Sequence, residues 1–453
     1  MGKLTLKQAA SFCGGWVDPK YENIEFLGAN NDTRLIQPGQ LFIVLQGARD
    51  GHDFIPMAIE KGAAAVLCSR QTGDYPAIIV NDPRIALGDI ARAERKRIGC
   101  KVVGITGSVG KSTTKEMVAA VLESTFRTAK TPVNHNNDIG MPMAILAMPW
   151  DTEVAVLEMG MNHFREMAYL SCVAQPDIAV IVNIGSMHIE FLGSMEGVRQ
   201  AKLEILEGME ENGKVILNGD DAMLRNLPRK IEQSITYFGN DGQVCAVSYS
   251  DVQETDGGVK FNVCRGNQCF PIEMALEGRH FVADAMAAVA VALELGVSPV
   301  RIQEQLSMFR NMAGRQEIYE KNGYTIISDC YNAGPESMAA ALKVLGKRTG
   351  RRIAVLGDML ELGDVTWAEH FKVGRIAAEN ADAVYAYGPN SYRVTAGAVT
   401  GGVNPVSARH FDTHEEIAAA LKRLAKPGDV YLFKGSRGMH MERVLEMFLD
   451  EEK

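Results

Sequence analysis

The stretch Lys101-Val102-Val103-Gly104-Ile105-Thr106-Gly107-Ser108-Val109-Gly110-Lys111-Ser112-Thr113-Thr114 constrains the fold more than any other part of the chain. A β-branched apolar run gives way to glycines and then to Lys-Ser-Thr, the order expected of a strand, a tight turn and a helix start. Glycines at 107 and 110 let the backbone curl so that successive N–H groups converge on an anion. The following helix turns its positive end to the same point. The pattern predicts a phosphate-binding loop in which Thr106, Gly107, Ser108, Val109, Gly110, Lys111, Ser112 and Thr113 surround ATP, with Lys111 on the terminal phosphates and Ser112 on a magnesium ion. The general pattern places a glycine five positions before Gly110, where Ile105 stands, so the turn is a variant of that loop.

A strand feeding such a loop belongs to an α/β sheet, and the rest of the sequence keeps that rhythm. Apolar runs at 41–45, 64–68 and 77–80, with helical patterns at 55–61 and 85–97, fill the first 98 residues. Runs at 154–157, 178–182 and 215–217 follow the loop, and runs at 324–328, 353–356, 383–387 and 430–433 alternate with helices after residue 314. We therefore expect three α/β domains: a small one over 1–98, a central parallel-sheet P-loop domain over 99–313, and a doubly wound, Rossmann-like domain over 314–453. A length of 453 residues suits three domains, and 46% apolar residues supply a core for each.

Charge and termini narrow the function. A formal charge of −9 argues against a broad nucleic-acid surface, so cations serving an anionic ligand must be gathered in a pocket. The first ten residues lack the apolar core of a secretory signal. The most apolar helical run, 281–297, is interrupted by Asp284 and Glu294 and is shorter than the roughly 20 residues of a bilayer span. A cytoplasmic location without membrane insertion is expected. Eight cysteines, at 13, 68, 100, 172, 245, 264, 269 and 330, include no C-x-x-C, so reduced thiols are expected rather than a disulfide framework or a zinc site.

Downstream of the loop, Glu158 ends the run 154–157 and His188 follows the run 178–182, which places both at the carboxyl edge where open sheets hold ligands. A carboxylate suits magnesium; histidine is a less usual ligand, and alone His188 reads as a polar loop residue. Lys202, in Gln200-Ala201-Lys202-Leu203-Glu204-Ile205, reads by itself as a solvated helix lysine. No Ser-His-Asp or Cys-His pattern is recognisable locally, so activation of a substrate must come from ATP.

Taken together, the motifs resemble the Mur ligase family of ATP-dependent amide-forming enzymes, over essentially the whole chain. The loop Thr106 to Ser112 resembles the family's own. So, in order, do Asn134-His135-Asn136-Asn137-Asp138-Ile139-Gly140, Glu158-Met159-Gly160-Met161-Asn162, Asn183-Ile184-Gly185-Ser186-Met187-His188 and Ala201-Lys202-Leu203-Glu204-Ile205. The resemblance implies that Lys111, Lys202, His188 and Glu158 are catalytic. Ser112, Glu158, His188 and a carbamylated Lys202 would hold magnesium, with two ions expected. A carbamate would replace a repelling cation with an anionic oxygen donor. Asn137, Asp284, Arg315 and Asp329 are implied in ATP binding.

Asp329-Cys330-Tyr331-Asn332-Ala333-Gly334-Pro335-Glu336-Ser337 and Gly357-Asp358-Met359-Leu360-Glu361-Leu362-Gly363 resemble the branch that adds D-alanyl-D-alanine to UDP-N-acetylmuramoyl-tripeptide. The Asp-Asn-Pro-Arg motif of the diamino-acid-adding branch is absent. Thr33-Arg34, Gly47 and Asp50-Gly51-His52-Asp53-Phe54 resemble a UDP-sugar-binding first domain, although Asp50 to Asp53 reads equally well as a polar turn. Thr33, Arg34, Gly51, His52, Asn134, Asn332, Lys434 and Arg437 are thus implied in substrate binding. The last two lie in Lys434-Gly435-Ser436-Arg437, which alternatively reads as a capped helix start. Phe281 and Asp284 stand where the family carries asparagines, which leaves the adenine contacts open.

The implied reaction passes through an acyl phosphate, in peptidoglycan precursor synthesis, within a monomer whose domains close about hinges near 98–100 and 312–314. Alternatives are the diamino-acid-adding ligase, folylpolyglutamate synthetase, a phosphotransferase using the same loop, and a nucleotide-binding module without activity.

Overall fold

In the computed structural model, which describes residues 3–227, 231–255 and 257–450, each third of the chain builds its own sheet. The first holds four parallel strands, Ala29–Asn30, Leu41–Ile43, Ala65–Cys68 and Ala77–Ile79, beside a two-stranded antiparallel pair, Leu4–Thr5 with Glu25–Phe26. Helix Pro83–Ile98 leaves this sheet. Asp82 caps its start, Pro83 sits at its first position, basic side chains fill its last turn, and Gly99 at φ +71° stops it. Its Leu87 and Ile90 belong to one apolar cluster that runs from Leu41 and Leu67 of the first sheet to Met167, Leu170 and Val173 of helix Glu166–Ala174. The first and central parts therefore share a core.

The central sheet has nine strands, ordered Gln268–Met274, Gly258–Arg265, Val247–Thr255, Ser234–Gly239, Lys214–Asn218, Ile178–Ile181, Lys101–Thr106, Val154–Glu158 and Thr128–Lys130. The strands flanking the loop are buried on both faces, as near-continuous Val/Ile/Leu runs require. The helix over Phe281–Glu294 is buried on nearly all sides and packs against helix Lys111–Glu123, which explains an apolar run without a membrane. Among the described residues no helix is long and apolar enough to cross one. Strand Lys101–Thr106 lies between Ile178–Ile181 and Val154–Glu158, so the phosphate loop opens at the point where the strand order reverses.

Two features differ from expectation. The far end of this sheet is antiparallel: Val247–Thr255, Gly258–Arg265 and Gln268–Met274 form a meander whose inward residues, such as Val259, Phe261 and Val263, alternate with more exposed ones. Its last turn also pairs Cys264 with Cys269 in a disulfide, in place of the expected free thiols. A two-residue turn sets positions five apart directly opposite each other, which composition and motif spacing do not reveal. The other six cysteines are free.

The third sheet is ordered Glu317–Lys321, Tyr324–Asp329, Val430–Lys434, Arg352–Gly357, Ala383–Tyr387 and Ala408–Phe411, parallel except for its first pair, with helices on both faces. Its carboxyl edge faces that of the central sheet.

Candidate active site

Between the two edges lies a cleft of about 940 Å³. Phosphate-loop residues 108–113 line its floor, with Asn137, Glu158, His188, Arg315, Asp329, Asn332, Lys434 and Arg437 around them. The glycine at 110, with φ +84°, is required: a Cβ there would collide with the Asp284 carboxylate. The loop is held from behind by Asn183, whose Oδ1 accepts from Ser108 N at 3.0 Å and Val109 N at 2.9 Å. Lys111 Nζ donates to the carbonyls of Gly107, at 2.7 Å, and Ser108, at 3.2 Å. Burial pushes the Lys111 ammonium down to about 8, against the pull of Glu158.

Glu158 closes strand Val154–Glu158, one residue short of the register of Thr106 on the neighbouring strand. Its Oε1 accepts from Asn136 Nδ2 at 2.8 Å, while Oε2 is buried with no hydrogen-bond partner. Thr106 Oγ1 is likewise unpartnered. Lys202, which by itself reads as a solvated helix lysine, is 1% exposed, because helix Met195–Leu203 turns that face inward. Desolvation, and then the charge of Lys111, hold its amine well below the ordinary lysine range. His188 Nδ1 meets the Glu361 carboxylate at 2.5 Å, and burial lowers its basicity. Among the described residues no three His, Cys, Asp or Glu side chains converge as a ready metal cage. The donors are instead one carboxylate with a free oxygen, one imidazole and the Ser112 hydroxyl, beside Lys111 and Arg315. Lys202 does not line the cleft but lies close enough for its charge to act on His188 and that of Lys111 to act on it.

At the other end, Arg315 donates from Nη2 to Ser112 Oγ at 2.8 Å and lies 3.7 Å over the Tyr331 ring. Asp329 and Lys434 end adjacent strands in register, and Nζ reaches Oδ2 at 2.6 Å. Asp284, implied in ATP binding, stands behind the phosphate loop. It accepts from Thr114 Oγ1 at 3.1 Å, and burial pushes its carboxyl up to about 8. Phe281 is 4% exposed and packs in the central core with its ring 4.2 Å from that of His280. It also lines the cleft, next to Ala283 and Asp284.

Thr33, Arg34, Gly51, His52 and Asn134 do not line the cleft. Arg34 is tied to Asp32 at 2.6 Å, and His52 to Asp50 at 2.6 Å. Position 51 tolerates no side chain, since a Cβ on Gly51 would collide with the Leu45 carbonyl. Asn134 is exposed, and it is Asn136 from the same block that reaches Glu158. Sequence reasoning misses Asn136, Asn183, Tyr331, Glu336 and Glu361 as site residues, although each stands inside a motif quoted above. The structure also brings together a Ser-His-Asp set: Ser391 Oγ lies 2.7 Å from His410 Nδ1, whose Nε2 lies 3.2 Å from Asp412. Ser391 is fully buried and donates to the Gly388 carbonyl, so it secures a helix start rather than attacking a substrate.

Three family models match consecutive parts of the chain: the Mur ligase family catalytic domain at residues 23–103, the Mur ligase middle domain at 105–292, and the Mur ligase glutamate ligase domain at 314–437. The UDP-N-acetylmuramoyl-tripeptide--D-alanyl-D-alanine ligase of Bacillus subtilis is 39% identical, the alignment covering 99% of each chain. The Escherichia coli protein of the same name is 34% identical over 98% of each. MurF from Acinetobacter baumannii superposes with a TM-score of 0.89 at 30% identity over the full length of both chains. MurF ligase from Thermotoga maritima, solved with ADP, gives 0.82 at 31% identity over 93% of this chain and 97% of its own.

Proposed function

The chain belongs to the Mur ligase family, and from that premise we infer that it is an ATP-dependent ligase joining D-alanyl-D-alanine to UDP-N-acetylmuramoyl-tripeptide, in peptidoglycan precursor synthesis. The observation that carries the reading is the convergence, in one cleft, of a phosphate loop with the carboxyl edges of two sheets from separate domains. We divide those domains at 98/99 and 313/314, assign the enzyme to the cytoplasm, and take one chain as the acting unit.

The tripeptide's terminal carboxylate attacks the γ-phosphorus of ATP, and the bond to the β–γ bridging oxygen breaks, giving an acyl phosphate and ADP. The dipeptide amine then adds to the acyl carbon, loses a proton, and expels inorganic phosphate. Both steps build negative charge on oxygen, which preorganised donors stabilise best. Lys111 and the loop N–H groups supply such donors, and Arg315 adds a planar fork. We assign Asp329 to the ribose hydroxyls, with Lys434 holding its carboxylate. We assign Asn134, Asn332, Lys434 and Arg437 to substrate binding, and Thr33, Arg34, Gly51 and His52 of the first domain to the nucleotide sugar.

The unpartnered Glu158 oxygen suits a hard cation, and we assign Ser112, Glu158 and His188 to magnesium. When bound, the ion supplies charge neutralisation for the phosphoryl oxygens. Lys202 would repel it as an ammonium. Its depressed basicity favours the neutral amine, the form that adds to carbon dioxide and releases a proton, and we assign it as a carbamate donor to the same site.

The test is phosphate release from ATP with the UDP-muramoyl-tripeptide, in the presence and absence of D-alanyl-D-alanine, with the product weighed. Phosphate that appears only with the dipeptide, and a product heavier by the dipeptide less water, support the ligase. A stable phosphorylated product would instead mark a phosphotransferase.

A further inference from the structure

The segment from Asn183 to Glu190 is fastened at two ends to different domains. At its start, Asn183 holds Ser108 and Val109, and Gly185 N donates to Ser108 Oγ at 2.8 Å, all within the central domain. Its far half is held by the C-terminal domain. Ser186 donates from N at 3.0 Å and from Oγ at 3.1 Å to Glu336, and Met187 packs where a Cβ on Gly334 would stand. His188 Nδ1 lies 2.5 Å from Glu361 Oε2, and Glu190 N donates to the Glu361 carbonyl at 3.3 Å. Both His188, at φ +64°, and Glu361, at φ +62°, adopt the left-handed backbone that non-glycine residues seldom take, and they do so facing each other across the domain boundary.

A carboxylate only accepts, so its partner Nδ1 carries the proton and Nε2 is left with a free lone pair on a ring that lines the cleft. Carboxylates in this position fix the tautomer and orientation of metal-binding imidazoles. Here the carboxylate comes from the other domain.

We propose that Glu361 is a positioning residue that makes the orientation of His188, and with it divalent-cation affinity, depend on closure of the C-terminal domain. This rests on the metal role assigned to His188 above. An open molecule separates Glu361 from the ring and leaves the cation one fixed donor short. By reciprocity the cation favours the closed molecule. Glu336 grips the same segment without touching the imidazole, and so acts on closure alone.

The test is Mn2+ binding to the full-length protein with ADP, followed by electron paramagnetic resonance, alongside small-angle scattering. Glu361→Ala is expected to weaken Mn2+ ten- to a hundredfold, the usual range for losing such a partner. Glu361→Gln, whose amide oxygen still accepts from Nδ1, is expected to recover much of that loss. In a His188→Ala background Glu361→Ala should change nothing further. Mn2+ should reduce the radius of gyration of the wild type but not of Glu361→Ala. Unchanged thermal unfolding of the variants keeps a folding defect apart. Wild-type Mn2+ affinity in Glu361→Ala, an additive effect with His188→Ala, or no compaction of the wild type would each overturn the proposal. Failure of the ligase reading shows separately, as a wild-type protein whose ADP formation ignores the dipeptide.

Discussion

Arg315 Nη2 donates to the Ser112 hydroxyl at 2.8 Å, joining the first turn of the C-terminal domain to the helix that opens the phosphate loop. The same guanidinium keeps Nε buried without a partner, a donor left over for an anionic oxygen. A hydrogen bond to a charged group is worth about 1.5–3 kcal/mol. Arg315→Ala is therefore expected to lower kcat/KM for ATP about ten- to a hundredfold, and Arg315→Lys to recover little, because a point charge cannot replace a fork stacked on Tyr331. Steady-state kinetics with varied ATP measures both.

Gly110→Ala should severely weaken nucleotide binding while leaving the fold intact. The substitution strains a backbone at φ +84° and drives a methyl into Asp284, displacing the turn that presents the N–H groups. Calorimetric titration with ADP should show binding weakened at least about a hundredfold, as the loss of two or more anion donors implies, with the circular dichroism spectrum unchanged.

The phosphate loop is legible in the sequence because its chemistry is local: glycines, a lysine and a serine within a few positions. Glu158 and His188 are legible for a related reason, since strand ends at a sheet's carboxyl edge can be read from apolar runs. What stays hidden depends on distant parts of the chain meeting. Lys202 reads as a surface lysine until helix Met195–Leu203 is seen to turn it inward, and Glu361 stands 173 positions from the histidine it orients. Phe281 and Asp284 stand out as departures from the family pattern, but only packing shows one in the core and the other behind the phosphate loop. The antiparallel meander is written in the alternation from Val259 to Met274, a period of two overshadowed by the parallel runs around it.

Asp284 makes stability depend on pH. Burial raises its carboxyl from 3.8 to about 8, so between these values the unfolded chain has lost a proton that the folded chain keeps. Stability contributed by the protonated acid is present in full below about pH 4, falls as pH rises and levels off above about pH 8. Asp284→Asn keeps an acceptor for Thr114 and removes the titration. It should therefore raise stability at pH 8 by more than about 1 kcal/mol, and by much less at pH 4. Denaturant unfolding at both pH values checks this.

Lys202→Ala, and Lys202→Arg, which cannot form a carbamate, should each lower ligation by more than about a hundredfold, the scale of a lost transition-state stabiliser. Wild-type activity should fall in buffer stripped of carbon dioxide and return on adding bicarbonate. Activity indifferent to carbon dioxide would remove the carbamate while leaving a role for the amine.

Every role assigned to the cleft rests on one step, the activation by ATP of the tripeptide's own carboxylate. Labelling that carboxylate with oxygen-18 and weighing the phosphate released during ligation tests the step itself. One labelled oxygen in each phosphate, released only when D-alanyl-D-alanine is present, is the expected result. Unlabelled phosphate, or phosphate formed at the same rate without the dipeptide, would contradict it.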